Sequence, residues 1–143
     1  MFPTLPTLLR IAMVFGVGLD HFFGAAERRR VLGVVRAADR ERFPERLGRR
    51  EVLWEFECLD FTATERRLNA YRVRFLSTSL KPRTHEHGGA EFLHLLTGRL
   101  SVIVDGVDHG LGAGDSIYFD SSRPHGYTRR SRGPALALVV TTP

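Results

Sequence analysis

Cysteine is nearly absent from this chain, with Cys58 alone among 143 residues. No disulfide can close within it, so a reducing cytoplasmic interior is the expected home. In the run Glu55-Phe56-Glu57-Cys58-Leu59 the thiol reads as a small packed side chain of a strand, not a nucleophile. Lysine is equally scarce. Lys81 is the only one, so the formal net charge of +5 rests on arginine. Arginine scattered over a surface serves solubility and salt bridges more readily than nucleic-acid binding, and no block of like charge exceeds Arg28-Arg29-Arg30. Long hydrophobic runs are missing too. A membrane helix needs about 20 apolar residues, and the longest apolar or glycine run, Ile11 to Leu19, falls far short. Its helical spacing also argues against a secretory signal, and no membrane partner is expected. No internal repeat is visible.

What is present falls into two periodicities. Leu5, Leu8, Leu9, Ala12, Val14 and Phe15 recur at three- and four-residue spacings, giving a helix with one apolar stripe. Pro3 and Pro6 stand where a missing N–H costs nothing, and Gly16 and Gly18 end the helix. Leu19 to Phe23 makes a second helical turn, and helices this short must pack on something. Residues 25–50 read as an arginine-rich linker with a candidate first strand at Val31-Leu32-Gly33-Val34-Val35. Ala37 to Arg50 carries too many charges to be core.

From Glu51 the period becomes two. Val52, Trp54, Phe56 and Cys58 alternate with Leu53, Glu55, Glu57 and Leu59, which predicts a strand with at least one buried face. Further strands are expected over Leu68–Phe75, Phe92–Leu96, Leu100–Val104, Val107–Leu111, Ser116–Phe119 and Ala135–Val140. Asp105-Gly106 between two such runs predicts a type I′ hairpin. Short strands with glycine-rich turns make residues 51–143 an antiparallel barrel or sandwich.

Histidines carry the chemistry. His85 and His87 are two apart, so on an extended strand they face one way, with Cα atoms about 6–7 Å apart, close enough to converge on one ion. Glu86 then faces solvent. If Glu91 points inward, Leu93 and Leu95 share its face, while Phe92, His94 and Leu96 point outward. Arg123-Pro124-His125 supplies a third imidazole behind a rigid proline. Tyr127 shares the face of His125 and is the best candidate to support a ligand. Arg72 and Arg74 share a strand face; if interior they would anchor a carboxylate effector, if exterior they are solvated. His21, His94 and His109 read as surface or packing residues. Tyr71, Phe75, Tyr118 and Phe119 read as ordinary core or interface aromatics.

The run His85-x-His87-x3-Glu91-x6-Gly98 resembles the first cupin motif at every ligand, and Gly114-Asp115-x9-His125 resembles the second at its turn and histidine. Ser79, Asp120, Ser122 and Arg129 depart from the family pattern, but none is a ligand. The resemblance implies a mainly β fold, a cupin double-stranded β-helix (jelly-roll barrel) with a short N-terminal helical segment. It also implies that His85, His87, Glu91 and His125 hold a divalent metal; such donors suit Zn, Fe, Mn or Ni. Phe119 to His125 looks like the variant seen in cupins attached to bacterial transcription regulators. Phe2 to Ala12, continuing through Gly16 to Phe23, resembles the last two helices of the xenobiotic-response-element class of helix-turn-helix domain.

That combination implies three regions: 1–24, the remnant of a helix-turn-helix domain; 25–50, linker and first strand; and 51–143, the cupin barrel. The expectation is a truncated regulator, with Met1 an internal methionine, whose cupin senses a small-molecule effector and forms a homodimer. It would reach DNA only through the missing recognition helix. The rival expectation is a metal-dependent cupin enzyme of dioxygenase or isomerase type, and a third is a degenerate dimerisation unit. The ligand set alone does not separate them.

Overall fold

The computed structural model describes residues 5–15, 32–48 and 51–143. Helix α1 (Leu5–Phe15) buries part of the expected stripe: Leu9 and Ala12, three residues apart, are buried, while Val14 is exposed. Arg10 on its flank reaches the Pro44 carbonyl and the Glu45 carboxylate, each at 2.9 Å. The second helical turn expected at Leu19–Phe23 lies outside the described residues. No described helix is long and apolar enough to cross a membrane.

The first strand is not where hydrophobicity placed it. Residues 32–36 form no strand, and a single 3-10 turn follows at Ala37–Asp39. Strand β1 is Arg42–Leu47, inside the run expected to be solvated linker. The physical reason is one-sided burial. Phe43 turns inward onto Phe56, with ring centroids 5.7 Å apart. Arg42 turns outward and is received by Glu55 at 3.5 Å and Glu57 at 3.4 Å on the neighbouring strand. Charge here decorates the outer face of a sheet, and one aromatic suffices to hold the strand.

The remaining strands follow the expected order: β2 (Glu51–Cys58), β3 (Asn69–Phe75), β4 (Ala90–Thr97), β5 (Arg99–Val104), β6 (Val107–Gly112), β7 (Ser116–Asp120), β8 (His125–Arg129) and β9 (Ala135–Thr141). They form a six-stranded sheet, β1-β2-β3-β9-β4-β7, and a three-stranded sheet, β6-β5-β8, with every pairing antiparallel. This is the jelly-roll architecture expected for a mainly β chain. Leu93 and Leu95 of the large sheet and Leu100 and Val102 of the small one are fully buried. Phe92 and Leu96 are exposed, as the alternation along β4 requires.

Two turns show why their residues are needed. Asp105 and Gly106 have φ of 49° and 77°, both positive as a type I′ turn demands. Gly98, the last residue of the first motif, has φ of 83°, and a Cβ there would lie 3.0 Å from the Ala135 Cα of β9. Only glycine can make this corner and let β9 pass behind it.

Candidate metal centre

Glu91 enters the site because β4 begins at Ala90 and alternates cleanly, which points the carboxylate inward at 2% exposure. His125 opens β8 of the other sheet and is fully buried. His87 lies on the loop before β4 and is held by its backbone. Its N–H donates to the Ser121 carbonyl at 2.9 Å. Ser121 in turn donates its N–H to Gly89 at 3.1 Å and its hydroxyl to Gly88 at 3.2 Å. Buried Ser121 therefore clamps the glycine corner that aims His87. Sequence reasoning passed over it, because a serine in a polar loop carries no signal of its own.

The reactive atoms of three residues meet. Glu91 Oε2 lies 3.3 Å from His87 Nε2 and 3.8 Å from His125 Nε2. Ligand-capable atoms of His87, Glu91 and His125 all fall within 4.8 Å of one another. Donors about 2.1 Å from a shared ion lie roughly 3.0–3.4 Å apart at tetrahedral or octahedral angles, so little adjustment is needed. The tautomers are set as well. His125 Nδ1 sits 2.8 Å from the Arg123 carbonyl, and His87 Nδ1 sits 3.2 Å from the Gly88 carbonyl. A carbonyl can only accept, so each Nδ1 carries the proton and each Nε2 keeps a free lone pair. His125 Nε2 is buried without a hydrogen-bond partner. An unpaired buried acceptor costs about 1–3 kcal/mol, and an ion at this point would satisfy it. The donors present therefore fit a divalent metal.

Tyr127 supports the carboxylate of Glu91. It lies on the same face of β8 as His125, and its hydroxyl donates to Glu91 Oε1, leaving Oε2 for the histidines. Burial, followed by the nearby Glu91 charge, pushes its phenol well above the ordinary value, so it stays a donor. When the His87 ring is protonated, its Nε2–H donates to Glu91 Oε2, and this raises the His87 pKa above the ordinary imidazole value.

Three of the predicted site residues lie outside this cluster. His85 does not join the three-residue cluster. Its backbone pairs with His125 in both directions, at 2.9 and 3.1 Å, and its ring stacks among His125, Trp54 and Tyr127 at centroid separations of 4.4, 5.5 and 5.5 Å. Burial, then the neighbouring His125, lowers its pKa to about 4 and keeps it neutral. It walls the site as a ring. Arg72 and Arg74 do not reach the interior either. Tyr71, Val73 and Phe75 take the inner face of β3. The two arginines lie opposite, each 3.4 Å from Glu57 and Glu55 respectively. His94, outward as expected, meets the Ser116 hydroxyl at 2.7 Å, and His109 is exposed. His21 lies outside the described residues.

The site opens into a cavity of about 210 Å³. His85, His87, Glu91 and Tyr127 form one end of it, and Arg10, Met13 and Glu45 line it as well. An antiparallel jelly-roll with two imidazoles and a carboxylate converging inside it defines the class: a cupin barrel. Comparison with known proteins agrees. Residues 73–141 match the cupin domain family. No curated protein matches the chain. Among solved structures, hydroxypropylphosphonic acid epoxidase from S. wedmorenis is similar at 22% identity and a TM-score of 0.68, over 96% of this chain and 74% of that one. An RmlC-like cupin from Shewanella frigidimarina NCIMB 400 is similar at 20% identity and a TM-score of 0.60, over 81% of this chain and 95% of its own. A cupin-superfamily sugar phosphate isomerase from Silicibacter pomeroyi DSS-3 is similar at 22% and 0.62, over 78% and 76%. At these identities the likeness is one of fold.

Proposed function

We propose that this cupin is a metal-dependent catalyst acting on a small organic molecule in the barrel cavity. The observation that carries the reading is the meeting of His87 Nε2, His125 Nε2 and Glu91 Oε2, with His87 and Glu91 lining an open cavity. Two imidazoles and one carboxylate on one side of an ion leave its other positions open, a donor set associated with non-haem iron(II) oxygenases. When bound, such an ion supplies Lewis acidity, and redox chemistry if it is iron. The chain's own contribution is orientation. Gly88 and Arg123 carbonyls fix the two rings, Tyr127 holds one carboxylate oxygen, and Ser121 keeps the loop in place. Fold relatives named as an epoxidase and an isomerase support an enzymatic use of this barrel. Elemental analysis of purified protein tests the reading. About one divalent ion per chain is expected, and His87→Ala and Glu91→Gln should each lose it. Metal content indifferent to both substitutions would overturn the proposal.

One observation favours a second reading, a sensor domain of a transcriptional regulator working as a homodimer. Helix α1 lines the cavity with Arg10 and Met13 while burying Leu9 in the core, so an occupant would touch it. That segment is the one whose sequence resembles the end of a helix-turn-helix domain. An effector would need unequal affinity for two conformations to transmit anything. Turnover that depends on His87 and Glu91 would favour the catalyst. Sequence-specific, salt-resistant DNA binding by this chain would favour the regulator.

A further inference from the structure

One polar group in the cavity has no task in the metal centre. Tyr71 lies on β3 facing inward, 5% exposed, with its ring edge-on to Phe56 at 5.9 Å. Its hydroxyl is buried and has no hydrogen-bond partner, yet the residue lines the cavity together with Glu91 and His87. Burial keeps this phenol protonated, so it offers a donor. A buried hydroxyl without a partner is a standing cost that an occupant's oxygen would remove.

The rest of the lining describes the occupant. Trp54, Phe56, Val73, Phe75 and Val139 make apolar walls. Among the described lining residues, Arg10 is the only lysine or arginine. Its guanidinium is already bound to the Pro44 carbonyl and to Glu45, which lines the cavity too. The volume of about 210 Å³ admits a small molecule.

We infer that the occupant is a small, largely apolar molecule with two oxygen functions, one facing the metal centre and the other received by the Tyr71 hydroxyl. The inference rests on the cavity serving the proposed metal centre.

Trp54 is the chain's only tryptophan and lines the cavity, so its emission reports occupancy. The zinc-loaded protein is titrated with 4-hydroxycyclohexanone and cyclohexanone. The hydroxyketone should bind about 3- to 10-fold tighter than cyclohexanone, the yield of one hydrogen bond. In Tyr71→Phe the preference for the hydroxyl should vanish, with zinc content unchanged. A preference that survives Tyr71→Phe, or no saturable response to the hydroxyketone, would overturn the inference. The comparison of the two probes on wild-type protein needs no variant and remains decisive if Tyr71→Phe fails to fold. Failure to take up zinc at all would instead sink the metal-centre reading.

Discussion

Replacing His85 by Phe separates a wall of the site from a ligand. The ring sits among Trp54, Tyr127 and His125, so an aromatic replacement keeps the packing. In the folded protein burial holds the His85 pKa at about 4, against 6.5 for the model imidazole. Between these values the unfolded chain binds a proton that the folded chain does not, so stability falls as pH is lowered through that window. The contribution is complete above pH 6.5 and lost progressively toward pH 4. Worked through the linkage relation, His85 alone removes about 2 kcal/mol at pH 5 and about 3 kcal/mol at pH 4. Urea unfolding with a chelator present, at several pH values from 7.5 to 4.5, measures this. The stability of His85→Phe relative to wild type should rise by about 2 kcal/mol between pH 7.5 and pH 5. The same variant should keep its metal, because His85 stands outside the cluster of His87, Glu91 and His125. A wild-type-to-variant difference that does not change with pH refutes the burial argument. Loss of metal would make His85 a fourth ligand after all.

Other outcomes follow from the same structure. Metal affinity should climb as pH rises through the raised His87 value, since Nε2 must shed its proton to bind; in metal-free protein the His87–Glu91 pair works the other way, stabilising fully below pH 6.5 and lost as pH passes the folded value. Zinc competition titrations and urea melts across pH 5.5–8 read both, and a flat metal affinity would contradict the first. Leu95→Ala, in a fully buried position, should cost about 2–5 kcal/mol by denaturant unfolding. Gly98→Ala should destabilise by at least about 1 kcal/mol, because the new Cβ meets β9 at a left-handed corner; an unchanged midpoint would show that the corner relaxes. The Cys58 thiol, pushed up to about 12 by burial and then by Asp60, should resist thiol reagents at pH 8 until the chain is unfolded.

Much of the site was legible because β4 alternates so regularly: once Glu91 faces inward, the burial of Leu93 and Leu95 and the exposure of Phe92 and Leu96 follow. Asp105-Gly106 was equally plain, since few dipeptides accept two positive φ angles. Strand β1 was hidden because its outer-face arginines are answered by glutamates on β2, a pairing invisible until the strands are side by side. His85 and His87 share a spacing that suits two ligands, but the chain leaves the extended form after His87, and only one ring reaches Glu91. Arg72 and Arg74 turned on a parity the sequence left open. Tyr71 read as core, and it is buried as core; its lack of a partner is a property of the space around it.

The cluster has a mechanical side. Glu91 belongs to the six-stranded sheet and His125 to the three-stranded one, and near them the described backbone linkage is the isolated His85–His125 bridge. An ion shared by Glu91 and His125 would act as a clasp across this seam, tying strands distant in sequence. Unloaded barrels would part there first, shedding His87 and its glycine corner while the Leu93–Leu100 interior still held. Loading would then lengthen the lifetime of the whole barrel, so that a cell poor in the metal would lose the protein to proteolysis.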